Sequence, residues 1–254
     1  MPGGLAPIPD WLLLALVSPI IGSFLGVLAM RLPAGRPVAL ARSACDSCGA
    51  PLAAADLVPL LSYVALRGRC RHCRAPIGRA HPAIELGAVL VAVIGFAVLH
   101  GDSAALWSGC VLGWGALLLA WIDWRCLRLP DVITLPLLLL GLGCSWLLDR
   151  ESLADHAAAA TLGYLAFRLI SAVYRRVRGR DGLGGGDAKL LAAGGAWLGL
   201  AELPVLVLFG ALLTIAVALA GGRLDAHRPV PFGPGLAVAL WLLWLLSRGG
   251  FVAP

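Results

Sequence analysis

Apolar residues run along this chain in long blocks, each closed by a charge, a glycine or a proline. Eight blocks stand out, at about 11–30, 83–99, 104–121, 132–148, 156–174, 188–201, 203–221 and 233–247. Several approach the roughly 20 residues a helix needs to cross a bilayer core. Only Glu202 and Pro204 interrupt the sixth and seventh, which leaves open a single long helix with a kink. No internal repeat or low-complexity tract interrupts the series. The pattern predicts an all-α polytopic membrane protein of about eight transmembrane helices, with a small insert between the first and the second. The expected divisions are 1–30 for the first helix, 31–82 for the insert and 83–254 for a seven-helix core.

Composition agrees. Of the 254 residues 60% are hydrophobic and 13% charged, whereas a soluble domain carries about 25% charged residues. A water-soluble globule is excluded. The first block is too long for the apolar region of a signal peptide, and no basic residue precedes it, so it is expected to remain as an anchor.

Charge then gives an orientation. With eight crossings, the loops 31–82, 122–131, 175–187 and 222–230 share one side of the membrane. Together with Lys189 they hold 17 of the 20 Lys and Arg residues. The opposite side has Arg150 and Arg248, and Arg168 lies within the fifth block. Basic loops stay in the cytoplasm, so the expected topology puts that side inside and both termini outside. The net charge of +6 reads as topology and contact with anionic lipid. Nucleic acid is not an expected partner, because the 31–82 segment offers only Tyr63 for base stacking.

Four of the seven cysteines form two C-x2-C pairs, Cys45 with Cys48 and Cys70 with Cys73. Two intervening residues allow a tight turn to present both sulfurs to one tetrahedral ion, and two such pairs make a four-thiolate zinc site. A cytoplasmic setting keeps thiols reduced. A segment of some fifty residues also buries too little core to fold without a staple. Two disulfides, or four unpartnered thiols, are the structural alternatives. His72 stands between Cys70 and Cys73 as an alternative ligand. Cys110, Cys126 and Cys144 read as small apolar residues in or beside helices.

Three carboxylates touch the apolar blocks: Glu85, Asp123 and Asp187. An ionisable group within a bilayer costs roughly 2.5–3.5 kcal/mol at mid-depth, so each is a functional candidate. Asp123 closes the third block, where its charge opposes the helix dipole; an ion pair with Arg125 or Arg128 is the structural alternative. Asp187 opens the sixth block, where Asp suits a helix N-cap. Capping alone leaves Gly182, Gly184, Gly185 and Gly186 unexplained. Glycine allows positive φ and close backbone approach, as a peptide laid beside a catalytic acid requires. The topology puts Asp123 and Asp187 at one membrane face. Two adjacent carboxylates cannot both ionise cheaply, so one keeps a proton and the other can activate water, the division of labour in aspartic proteases. Glu85 reads as a helix cap or an ion-pair partner.

The motifs together resemble those of the type IV prepilin peptidases. The similar stretches are "GSFLGVLAMRLP" from Gly22, the two C-x2-C pairs around "VPLLSYVALRGRC", "HPAIELGAVL", "IDWRCLRLPDVITLP", "GLGGGDAKLLAAGGAWLG" and "PFGPGLA" from Pro231. They occur in the family's order over nearly the whole length, and the fifth contains the G-x-G-D of intramembrane aspartyl proteases. Gly26 and Asp131 each stand where asparagine is common. The resemblance implies a multi-pass protein of the bacterial inner membrane with Asp123 and Asp187 as catalytic acids. It implies prepilins and pseudopilins as substrates, each with a basic leader, a glycine before the cut and an apolar helix after it. It also implies N-methylation of the new N-terminus from S-adenosylmethionine, an activity that accompanies the tetracysteine insert. No stretch reads as a soluble Gly-rich nucleotide fold. No pattern in the chain specifies an oligomeric state.

Two other classes compete. A transporter would use the acids to bind ions or protons, but paired broken helices in repeated halves are not evident. A membrane scaffold docking through the cysteine module leaves the glycine run before Asp187 without a purpose.

Overall fold

The computed structural model describes residues 8–38, 43–99, 101–179, 182–220 and 230–250. Arg42, Arg180, Arg223 and Arg228, which count toward the charge asymmetry, lie outside them. The described residues form helices α1 (Asp10–Arg31), α2 (Leu61–Ala65), α3 (Ala80–Leu99), α4 (Ser103–Cys126), α5 (Asp131–Leu148), α6 (Leu153–Arg178), α7 (Gly185–Leu198), α8 (Leu203–Ala220) and α9 (Gly233–Arg248), with short 3-10 turns at Ala54–Leu57 and Arg150–Ser152. Two isolated bridges, Ala44 with Pro51 and Arg69 with Pro76, are the extended pairings among them. The all-α expectation therefore holds.

Each predicted block is a helix, but six are long and apolar enough to cross a membrane: α1, α3, α4, α5, α6 with the turn before it, and α8. At about 1.5 Å per residue, α7 and α9 extend roughly 21 and 24 Å, short of a hydrocarbon core of about 30 Å. Large apolar side chains face outward on the long helices, among them Leu16, Ile20 and Phe24 on α1 and Leu208, Leu212 and Ile215 on α8. In water such faces would cost about 25 cal/mol per Å²; against lipid they cost nothing.

The chain divides into two compact units, Met1–Cys110 and Val111–Pro254. In the first, α1 and α3 lie side by side. Their backbones approach closely at Gly22, where a Cβ would stand 2.7 Å from Cα of Glu85; small residues of this kind set close helix contacts in lipid. Asp10 ties α1 to the start of α4 by accepting from the Ser103 hydroxyl and from Trp107 Nε1.

In the second unit α7 is the central element, packed by α5, α6, α8 and α9. It is buried at every position from Asp187 to Trp197 except Lys189, as expected of a helix that is apolar nearly all round. Short and enclosed, it is a core helix more than a lipid-facing span. A Cβ on Gly195 would lie 2.5 Å from the Ala159 carbonyl carbon of α6. Trp197 Nε1 donates to the Leu137 carbonyl at 2.8 Å, and its ring meets Trp244 edge-on with centroids 5.7 Å apart. Beside it His156 Nδ1 lies 2.9 Å from the Ala196 carbonyl oxygen.

The sixth and seventh blocks do not merge. Helix α7 ends before Gly199, whose φ of +84° places it in a conformation favouring glycine. The next N–H, of Leu200, donates to Asp155 Oδ2 at 2.9 Å. That carboxylate satisfies a backbone group a continuous helix would have used internally, so the chain turns and restarts at Leu203.

Gly195→Val tests the central contact. A side chain there meets the α6 backbone, which has no rotamer to yield. A loss of about 1–3 kcal/mol is expected from such overpacking, read as a lower unfolding midpoint in detergent.

Candidate functional site

Asp123 sits in the last turn of α4 and is 6% exposed. Its Oδ2 accepts a hydrogen bond from the N–H of Gly233 at 3.0 Å. Gly233 is the first residue of α9, so this N–H is one of the donors that a helix start leaves without an internal partner. The charge that opposes the dipole of its own helix thus faces the positive end of another. The fit is tight: a Cβ on Gly233 would lie 2.6 Å from the same oxygen. The Arg125 guanidinium is 5.7 Å from the Trp121 ring centroid.

Asp187 is 9% exposed and occupies the third position of α7. It is not the N-cap that its place in the sequence suggested. Gly184 is the cap, in an extended conformation with φ −67° and ψ 144°. Asp187 reaches back, and Oδ2 accepts from the Gly184 N–H at 3.2 Å. The helix begins at Gly185 because the glycine run enters it with ordinary negative φ; none of Gly184, Gly185 and Gly186 adopts positive φ. Close approach is what the run supplies. A Cβ on Gly186 would stand 2.8 Å from Leu129 Cβ, and one on Gly184 would stand 3.1 Å from Asp187 Oδ2. Gly185 has more room, its nearest neighbour being Arg168 Nη1 at 3.7 Å.

Leu129 joins these parts. It lies against Gly186 at the start of α7, and its Cδ1 would be 3.2 Å from a Cβ on Gly233 at the start of α9. The α4–α5 loop thereby rests on both helix starts. Asp123 and Asp187 are brought into one neighbourhood, near enough to act on each other electrostatically. At its edge Lys189 Nζ lies 2.6 and 2.7 Å from the two oxygens of Asp131, the first residue of α5. The Ser171 hydroxyl holds the glycine run from α6 by donating to the Leu183 carbonyl at 3.1 Å.

The cysteines form a second cluster, in the first unit. The sulfurs of Cys45, Cys48, Cys70 and Cys73 all lie within 4.8 Å of one another. Those of Cys45 and Cys73 are 3.8 Å apart, and no disulfide links any of the seven cysteines. A tetrahedral ion with metal–sulfur bonds of about 2.3 Å sets its sulfurs about 3.8 Å apart, so the four thiols can hold a metal ion. Each pair sits on the same device. Cys45 N–H donates to Ala50 and Gly49 N–H back to Cys45; Cys70 N–H donates to Ala75 and Arg74 N–H back to Cys70. The fourth residue after each leading cysteine turns left-handed, Gly49 at φ +71° and Arg74 at +60°. The N–H groups of Cys48 and Ser47 point at the Cys45 sulfur and pull its thiol down to about 6, which favours the thiolate, the form that binds metal. His72 contributes its backbone N–H to the Cys70 sulfur at 3.4 Å.

Comparison with known proteins gives a consistent account. Residues 16–99 match the model of the bacterial peptidase A24 N-terminal domain, and residues 110–219 match that of the type IV leader peptidase family. A Burkholderia pseudomallei (strain 1026b) protein named prepilin leader peptidase/N-methyltransferase is 41% identical over 86% of this chain and 79% of its own length. Proteins of the same name from Aeromonas hydrophila and Pseudomonas aeruginosa are 38% and 35% identical over 92% and 90% of this chain, and over 91% and 88% of their own lengths. The chain belongs to the type IV leader peptidase family. No solved structure matches it significantly.

Sequence reasoning about this leader peptidase missed three contributors. Gly233 appeared only as part of a motif, because a backbone donor to a carboxylate 110 residues away has no sequence signature. Leu129 looked like any apolar loop residue. Lys189 was counted for its charge, with no hint that Asp131 held it. Glu85 also differs from expectation. It lies in the second turn of α3, neither capping that helix nor forming an ion pair recorded among the described residues, and its Oε2 accepts from the Leu60 N–H at 2.8 Å.

Replacing Cys45 and Cys73 together by serine should lower bound metal from about one ion per chain to under about a tenth, since two of four ligands are lost. Elemental analysis of purified protein reads it.

Proposed function

We propose that this chain is a membrane aspartyl endopeptidase that removes the basic leader from prepilins and pseudopilins, with Asp123 and Asp187 as its two catalytic acids. The observation that carries the reading is the neighbourhood just described. Two buried carboxylates from different helices each spend one oxygen on a glycine N–H. Among the described residues, the other oxygen of each makes no hydrogen bond to protein.

The chemistry follows from that pairing. Of two adjacent acids one holds a proton. The ionised carboxylate takes a proton from a water, whose oxygen forms a bond to the scissile carbonyl carbon. The protonated acid donates to the carbonyl oxygen as it becomes anionic. Collapse of the tetrahedral adduct breaks the C–N bond, and the amine leaves with a proton. Gly184, Gly185 and Gly186 are assigned to substrate approach. Gly185 has the open space a peptide backbone needs, and Gly186 brings the Leu129 wall close.

The substrate class suits this geometry. A leader peptide is basic and its following helix apolar, so the scissile bond sits at the interface between cytoplasm and bilayer. We assign the protein to the bacterial inner membrane, with the site towards the cytoplasm and both termini outside, on the strength of the basic loops. The 31–82 segment is assigned as a zinc module, because four thiolates at this spacing suit Zn²⁺ above harder cations, and 83–254 as the peptidase core. The second activity, N-methylation of the new N-terminus, draws its methyl group from S-adenosylmethionine.

Mass spectrometry of a prepilin incubated with purified protein and S-adenosylmethionine tests both activities. Loss of the leader, followed by the added mass of one methylene on the product, is expected from wild type. Asp123→Ala and Asp187→Ala should each lower cleavage by about a thousandfold or more, as loss of an essential acid does, with expression unchanged. Wild-type rates in either variant overturn the assignment. Gly233→Ala should lower the rate at least about tenfold, because its methyl displaces the Asp123 carboxylate and small misplacements are costly.

A further inference from the structure

The first unit holds a partly open cavity of about 860 Å³ between α1, the cysteine-bearing segment and the start of α3. That volume lies within the range of small-molecule sites, roughly 300–1,000 Å³. The peptidase chemistry uses none of its walls. They combine carboxylates, Glu85 with Asp46 and Asp56; the His81 imidazole; the Tyr63 phenol ring; three guanidinium groups, Arg31, Arg36 and Arg71; and apolar surface.

Two features mark the cavity as built. Glu85 is only 7% exposed, yet it is held by one donor alone among the described residues, the Leu60 N–H. Leu60 has φ +57° and ψ −47°, and the Leu61 N–H meets the Pro59 carbonyl at 2.5 Å, the tight three-residue turn of the strained kind. A leucine persists in such a backbone only where its surroundings impose it, and strain of this type collects at functional sites. His81 lies one helical turn before Glu85, on the same face of α3. It occupies the space a side chain at position 26 would need: a Cβ on Gly26 would be 2.6 Å from His81 Nδ1. The glycine in α1 thus gives the imidazole its place in the wall.

We propose that this cavity binds the methyl donor S-adenosylmethionine. The inference rests on the methyltransferase half of the proposed function. The donor carries a cationic sulfonium, an ammonium, a carboxylate and a flat adenine, and the walls hold a counterpart for each. The Glu85 carboxylate suits the cationic end or the ribose hydroxyls. Arg71 is held by Asp56 at 2.7 Å, so the Arg31 and Arg36 guanidinium groups suit the carboxylate, and Tyr63 and His81 suit the purine. A lipid tail would find too many charges here. A simple phosphate would leave most of the volume empty. Transfer itself balances without another reactant: the neutral amine of the trimmed pilin forms the N–C bond, the S–C bond breaks with its electrons returning to sulfur, and the extra proton leaves to solvent.

The test is binding of S-adenosylmethionine and S-adenosylhomocysteine to the purified full-length protein without prepilin, by calorimetry and by ultraviolet crosslinking of labelled donor. Saturable binding is expected, with the label on peptides containing Tyr63 or His81 to Glu85. Glu85→Gln keeps an acceptor for the Leu60 N–H and removes the charge, and should weaken binding tenfold or more. Ser23→Phe fills the cavity from α1 and should abolish it. Retained metal in both variants shows the segment intact. A label mapping elsewhere, or wild-type affinity in both variants while wild type still methylates pilin, overturns the cavity and leaves the methyltransferase reading standing. No binding and no methylation by wild type, with cleavage intact, overturns both.

Discussion

The hydrogen bond from the Gly233 N–H to Asp123 is the contact on which the candidate site depends. A carboxylate out of water must be given donors, and a buried charge without them costs several kcal/mol. A membrane protein has few donors to spare, because its backbone groups are consumed within helices. Helix starts are the exception, since their first N–H groups have no internal acceptor. The fold meets both needs at once by setting the end of α4 against the start of α9. The same solution serves Asp187, which takes the N–H of Gly184 at the start of its own helix. Helix termini, usually a liability in lipid, thus become the means of keeping two acids in place.

The remainder of the second unit can be understood as support for those helix starts. Helix α7 carries Asp187 and is too short to cross a membrane alone, so neighbours enclose it. Its far end is fixed by Trp197 on the Leu137 carbonyl and by His156 beside the Ala196 carbonyl. Glycines at 141 and 195 let α5 and α6 come close enough to make those contacts. A rigid far end limits how much the near end can drift, and a drift of about 1 Å is enough to impair catalysis.

Much of this was legible in the sequence, and the reasons differ by residue. The long apolar blocks announced helices because lipid permits little else. The paired cysteines announced a cluster of thiols able to hold a metal ion because sulfur geometry at one ion demands short, regular spacing. Asp123 and Asp187 stood out because acids at the edges of apolar blocks are expensive. What the sequence concealed was the identity of their donors, since a backbone N–H is the same in every residue but proline. It also misplaced Asp187, reading a cap where the cap is Gly184 and the helix already begins at Gly185. A glycine run looks like a loop by propensity, and tertiary packing against Leu129 turns part of it into helix.

Glu85 shows the converse. Its place near the start of an apolar helix suggested a cap, a role any Asp or Glu can fill. Its actual partner, Leu60, lies 25 residues earlier, in a backbone conformation that leucine avoids. A cap would leave the helix better off and nothing else constrained. A buried carboxylate that holds a strained turn, beside an imidazole given its place by a glycine, constrains three segments at once for no gain in apolar burial. Stability alone would favour a leucine at 85 and a glycine at 60. The arrangement makes sense where a charged wall is itself the requirement. That distinction separates Glu85 from Asp10, whose hydrogen bonds to Ser103 and Trp107 fasten one helix end to another and enclose nothing.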